Sequence, residues 1–167
     1  MFKKDFHGEF QALHGVPYII EAAALLPEIR FQLIGKGKTW RQCYERAQKL
    51  SLKNIEFLPA VSYEQLAELM ARADICLGIF GNSAKAQMVI PHKVYEAMAM
   101  KKPLITADTP AARELFTQKE NVFLCPAGDS KALAQAIKEL ANDTGLANRL
   151  AQGGHKLFQQ RCCSEVL

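Results

Sequence analysis

The sequence contains no apolar run approaching the roughly 18 residues that a membrane-spanning helix requires. Its opening, Met1-Phe2-Lys3-Lys4-Asp5, also lacks the apolar stretch of a secretory leader, so the expectation is a cytoplasmic protein. Histidine is sparse and scattered, at His7, His14, His92 and His155. The five cysteines, Cys43, Cys76, Cys125, Cys162 and Cys163, show no metal-ligand spacing. The expectation is therefore no bound metal and reduced thiols, with Cys76 and Cys125 acting as small hydrophobes in core strands. Lys and Arg do not cluster and the formal charge is a mild +4, which allows an anionic ligand but not a nucleic-acid footprint. Neither a Gly-x-x-x-x-Gly-Lys-Ser/Thr phosphate loop nor a Gly-x-Ser-x-Gly nucleophile elbow is present.

What remains is an ordinary soluble composition, 49% hydrophobic and 23% charged, in 167 residues. That length suits one domain, 1–167, or one half of a larger enzyme. Strand and helix patterns alternate, the sign of a parallel sheet covered on both faces. The predicted strands are Phe6–Phe10, Phe31–Ile34, Ile55–Leu58, Asp74–Leu77, Pro103–Thr106 and Val122–Cys125. Helices are expected from Pro17, from Trp40 with Thr39 as cap, and after the capping box Ser62-Tyr63-Glu64-Gln65. Others start at Pro91, at Pro110 and at Ser130 as cap, and Gly145 is read as the break before a last helix. The fold class that follows is α/β, a Rossmann-like doubly wound sheet of six strands in the order 3-2-1-4-5-6. Ligands of such sheets bind beyond the strand ends where the order reverses, here between the loops Gly8–Gly15 and Gly78–Pro91.

The second of these loops is about a dozen residues long, a length that is often functional. It leads into a helix on which Lys93 and Glu96 share a face. The helix N-terminus is a phosphate seat, Lys93 a counter-charge, and Glu96 a carboxylate able to accept from both hydroxyls of a ribose. The plain alternative is a surface ion pair worth ~0.2–0.5 kcal/mol. Gly35-Lys36-Gly37 reads more simply as a turn than as a phosphate cradle. A lone His14 after the first strand is either structural or turned toward the reversal.

Phe80-Gly81, then Ile90-Pro91-His92-Lys93-Val94-Tyr95-Glu96-Ala97-Met98-Ala99-Met100, then Lys102-Pro103-Leu104-Ile105-Thr106-Ala107-Asp108 resembles the signature of family-four glycosyltransferases of the GT-B fold. Gly8-Glu9-Phe10, Leu13-His14-Gly15-Val16, Phe31–Gly37, Ile55–Pro59 and Ala73-Asp74-Ile75 agree with it in order. The resemblance covers the donor-binding, C-terminal half. It implies a separate N-terminal acceptor-binding half as partner, a returning segment beyond Leu167, and peripheral membrane association of the full enzyme.

By the same resemblance Glu96 holds the ribose, whereas Met88 stands eight residues earlier where relatives carry a first glutamate. Glu9 and His14 occupy positions where many relatives place Arg and Lys against the diphosphate. Lys93, backbone N–H groups and His14 are then left to bind that charge. The base would lie against Gly35–Lys36 and the Pro59–Ala60 end of the third strand. The implied substrate-binding set is Gly8, His14, Gly35, Lys36, Pro59, Gly81, Pro91, His92, Lys93, Val94 and Glu96, with no catalytic residue assigned. The implied ligand is a nucleoside diphosphate sugar, with no metal and no further cofactor, in keeping with the absence of Asp-x-Asp. The implied reaction is retaining transfer of a sugar to an acceptor hydroxyl in polysaccharide or glycolipid synthesis. Three rivals stand beside it: a GT-B-like nucleotide-sugar epimerase, a nucleotide-binding or interaction module without turnover, and a ligand-free scaffold.

Overall fold

A computed structural model of the protein describes residues 10–163 and the backbone of residues 3–7. The strands are β1 (Lys3–His7), β2 (Arg30–Ile34), β3 (Ile55–Leu58), β4 (Ile75–Leu77), β5 (Leu104–Asp108) and β6 (Phe123–Pro126). All five pairings are parallel and the order is β3-β2-β1-β4-β5-β6, as the alternation of strand and helix predicts. Alternate residues of the right-hand strands enter different cores, because successive side chains of a strand point to opposite faces. Ile75, Leu77, Ile105, Ala107, Phe123 and Cys125 join one apolar cluster, and Cys76, Leu104 and Leu124 join the other. Burial drives Cys125 up to about 12, with the Asp129 and Asp108 carboxylates adding to it, so this thiol stays protonated at neutral pH.

The helices are α1 (Val16–Ala24), α2 (Trp40–Lys49), α3 (Tyr63–Arg72), α4 (Ala84–Met88), α5 (His92–Ala99), α6 (Pro110–Leu115), α7 (Ser130–Asn142) and α8 (Thr144–Arg161). The Ser62–Gln65 capping box forms in both directions, at 3.2 and 3.1 Å. α7 turns Leu133, Ile137 and Leu140 inward, as their spacing requires.

Five local expectations are corrected. The first strand is Lys3–His7 rather than Phe6–Phe10. Pairing to β2 and β4 on both sides sets its position, overriding the weak strand character of its charged start. Phe10 lies past the strand, is fully buried, and stacks on Phe57 at 6.3 Å. Thr39 does not cap α2 with its side chain; its hydroxyl donates to the Phe10 carbonyl at 2.8 Å. Asp129, not Ser130, caps α7, accepting from the Ala132 N–H at 2.9 Å, since a carboxylate is the stronger acceptor there. Gly145 lies inside α8, and the helix break is made by Asp143, which accepts from the Leu146 N–H. Finally, the long loop after β4 is interrupted by α4, whose Ser83 cap accepts from Ala86 N–H at 3.2 Å.

Candidate functional site

Residues Gly78 to Gly81 continue β4 past the sheet edge, and each backbone N–H there has a specific partner. Gly78 N–H donates to Ile105 O at 2.7 Å, and Ile79 N–H donates to the Thr106 hydroxyl at 3.2 Å. Ala107 N–H donates to Ile79 O at 3.0 Å, and Gly128 N–H to Phe80 O at 2.9 Å. Across the strand-order reversal, Phe80 N–H donates to His14 O at 3.0 Å and Gly81 N–H to Leu13 O at 3.2 Å. The two loops that flank the reversal are thereby joined backbone to backbone. The short 3-10 turn Ala12–His14 and Gly15 form one side of this junction.

Glycine is needed on both sides of it. Gly15 has φ +65°, and a Cβ there would lie 2.6 Å from the Phe80 carbonyl carbon. A Cβ on Gly81 would lie 2.5 Å from the Leu13 oxygen. Only residues without a side chain allow such an approach.

On the other side of the reversal, Gly35 N–H donates to Leu58 O at 3.1 Å, which sets the Gly35–Lys36 turn beside the Leu58–Pro59 strand end. Phe10 N–H donates to Lys36 O at 2.8 Å and Thr39 N–H to Phe10 O at 2.9 Å, tying the first loop to that turn. Gly35 is buried, whereas Lys36 and Pro59 are exposed. The Gly35–Gly37 segment is therefore an irregular stretch tied to the first loop. Gly8 lies outside the described residues.

The helix after Pro91 completes the site. Pro91 is its N-cap rather than its first helical residue, with φ −74° and ψ 158°. Lys93 is buried, with 6% of its surface exposed, a placement that periodicity does not reveal. Val94 is buried in the second apolar cluster and its N–H donates to Pro91 O at 3.0 Å, so its side chain anchors α5. Glu96 is half-buried and lines a groove of about 420 Å³ over the outer face of α5, whose lining also includes Tyr63, His92 and Phe158. His92 is exposed, and His14 is half-buried at the junction of the loops. The Lys93–Glu96 spacing thus resolves into a buried cation and a groove-lining carboxylate on neighbouring parts of one helix.

Sequence reasoning passed over two contributors. Thr106 sits in an apolar strand run, yet its buried hydroxyl accepts from Ile79 N–H and donates to Ile79 O at 3.4 Å, fixing the extended stretch. A polar residue inside an otherwise apolar strand is the signal that marks it. Asp108, at the C-terminal end of β5, accepts two hydrogen bonds from Arg113, both at 2.6 Å. Those bonds hold its carboxyl below the usual carboxylate range. Among the described residues no cluster of metal-ligating side chains occurs, and no helix is long and apolar enough to cross a membrane.

Comparison with known proteins bears on this arrangement. EpsD of Bacillus subtilis, named as a glycosyltransferase, is 32% identical over 143 residues, covering 83% of this chain and 36% of its own. The lipopolysaccharide core biosynthesis glycosyltransferase LpsE of Rhizobium meliloti is 23% identical over 161 residues, covering 96% of this chain and 45% of its own. This chain therefore spans less than half the length of these relatives. Anabaena HepE, solved with UDP and glucose, matches with a TM-score of 0.83 at 23% identity, over 96% of this chain and 44% of that one. The C-terminal domain of the group 1 glycosyl transferase LpcC from Francisella tularensis matches with a TM-score of 0.78 at 18% identity, over 96% of this chain and 85% of that one. At such identities the structural likeness concerns the fold, the α/β Rossmann-like half of GT-B enzymes. The family model for glycosyl transferases group 1 matches residues 6–157, taking in both loops at the reversal and the helix after Pro91, and on that match the chain belongs to this family.

Proposed function

We propose that this chain is the donor-binding half of a glycosyltransferase that moves a sugar, with retention, from a nucleoside diphosphate to an acceptor hydroxyl. The acceptor belongs to polysaccharide or glycolipid synthesis, as do the products named for LpsE and for the capsular polysaccharide protein CapM of Staphylococcus aureus. The N-terminal acceptor-binding half is the partner of this domain, and residues 1–167 form a single donor domain. The observation that carries the reading is the backbone junction of Leu13–Gly15 with Phe80–Gly81 at the strand-order reversal, in the connection that leads on to the helix bearing Lys93 and Glu96.

The residues divide the donor between them. Glu96 accepts hydrogen bonds from the ribose hydroxyls, which places the nucleoside at the His92–Glu96 end of the groove. The base lies against Gly35, Lys36 and Pro59. The diphosphate lies over the N-terminus of α5, where the helix dipole favours negative charge. His14 and Gly81 form the backbone floor beneath it. Lys93 acts from within the protein: a buried positive charge is felt more strongly than an exposed one because little water screens it. As the sugar–phosphate bond breaks, charge grows on the departing diphosphate, and preorganised positive groups stabilise that state more than the ground state.

The Glu96 assignment is tested by comparing a ribonucleoside diphosphate with its 2′-deoxy analogue. Wild type is expected to prefer the ribose form by about tenfold, the worth of one charge-assisted hydrogen bond. Glu96→Ala is expected to bind both forms equally. A preference that survives the substitution removes Glu96 from the ribose.

A further inference from the structure

The segment between Gly81 and Pro91 contains no acid, and α4 gives it a defined shape. α4 packs against the Ala12–His14 turn on one side and against α6 on the other. It therefore bridges the C-terminal ends of β1, β4 and β5, directly over the reversal. Ala86, with no exposed surface, pins the helix from below. Lys85 is exposed, and Met88, three residues on, has 73% of its surface exposed.

The other cations at this end of the sheet are occupied or distant. Arg113 is bound to Asp108 through two hydrogen bonds. Lys93 is buried. Lys36 and Lys38 follow β2, on the far side of β1. Among the described residues, Lys85 is the exposed cation carried by an element that spans the reversal, and no ion pair with an acid holds it elsewhere.

We propose that Lys85 is a direct ligand of the donor's diphosphate, delivered by α4 from the open side of the cleft. Lys93 then contributes charge from beneath without being the contact. The inference rests on the nucleoside diphosphate reading above. A lysine suits the task, as a compact charge on a flexible stem that follows a phosphate through bond breaking. Only the segment Val89–Pro91 separates the end of α4 from the phosphate seat at the start of α5, so Lys85 is close to it along the chain.

The test is a set of titrations on the 167-residue chain with UDP or GDP, whichever the wild type binds more tightly, and with the matching nucleoside. Wild type, Lys85→Ala and Lys85→Arg are compared by calorimetry at two salt concentrations. Lys85→Ala is expected to bind the diphosphate at least tenfold more weakly, to lose part of the salt dependence, and to bind the nucleoside as wild type does. Lys85→Arg is expected to stay within threefold of wild type. Unchanged diphosphate affinity in Lys85→Ala, while the wild type binds, overturns the role of Lys85 alone. Equal loss of diphosphate and nucleoside, with no rescue by Arg, overturns it in favour of a structural role for α4. A wild type that binds neither diphosphate overturns the donor reading and this inference with it. If the nucleoside alone binds too weakly to detect, the contrast between Lys85→Ala and Lys85→Arg decides.

Discussion

Gly15→Ala is expected to lower stability by about 3 kcal/mol or more, which for a chain of this size moves the melting temperature down by roughly 6–12 °C. Two separate costs add. The left-handed conformation at φ +65° is disfavoured for alanine by ~1–2 kcal/mol. The new methyl group would also stand 2.6 Å from the Phe80 carbonyl carbon, well inside van der Waals contact. Relief requires the Leu13–Gly15 loop to separate from Phe80–Gly81, which lengthens the bonds at 3.0 and 3.2 Å that join them. Those amides and carbonyls lie in a buried junction, where leaving a backbone group unpaired costs ~1–3 kcal/mol. Nucleotide binding should fall with stability, since the same junction shapes the site. Gly145→Ala is the control: its Cβ would meet nothing closer than the Asp143 carboxylate at 3.4 Å, and alanine favours a helix. Thermal unfolding of the two variants side by side checks the claim; equal melting temperatures would contradict it.

Lys93→Met is expected to fold and to bind a nucleoside diphosphate at least tenfold more weakly, a loss of about 1.4 kcal/mol or more. Methionine keeps most of the buried volume, so packing against Val94 and its neighbours changes little. What disappears is a positive charge at 6% exposure beside a helix N-terminus. Salt should weaken wild-type binding only in part, because a buried charge is screened less than a surface one. The same substitution separates the two lysines. Losing Lys93 should leave a large salt dependence due to Lys85, and losing Lys85 should leave a small one. Calorimetry of wild type and variant reads this directly; unchanged affinity for the diphosphate would exclude the charge of Lys93 from binding.

Much of the architecture was legible because it follows from pattern. The runs Phe31–Ile34, Ile55–Leu58 and Pro103–Thr106 are short, largely apolar and separated by helical periods, and the handedness of crossovers leaves few ways to order them. The meeting of the two loops followed from topology, since the loops after β1 and β4 flank the point where the order reverses. The details that were missed depend on contacts between distant residues. Lys3-Lys4-Asp5 becomes the start of a central strand because β2 and β4 flank it, a fact absent from local propensity. Thr39 loses its role as side-chain cap to a carbonyl 29 residues away. Five residues are too few for α4 to display a helical period, so it reads as loop. Lys93 has the appearance of a solvated lysine until the fold encloses it. Thr106 and the Asp108–Arg113 pair likewise acquire meaning only when β5 is placed next to the extension of β4.

The central claim is that a nucleoside diphosphate binds across the reversal, between the Leu13–Gly15 and Gly78–Pro91 loops. Amide spectra of the labelled chain, recorded while UDP, GDP, ADP and dTDP are titrated in turn, test it most directly. At least one of the four is expected to give saturable shifts centred on Leu13–Gly15, Gly35–Lys36, Ala60, Gly81 and His92–Glu96. Shifts confined to the opposite end of the sheet, near Lys53 or Lys101, or no saturable shift with any of the four, would contradict it.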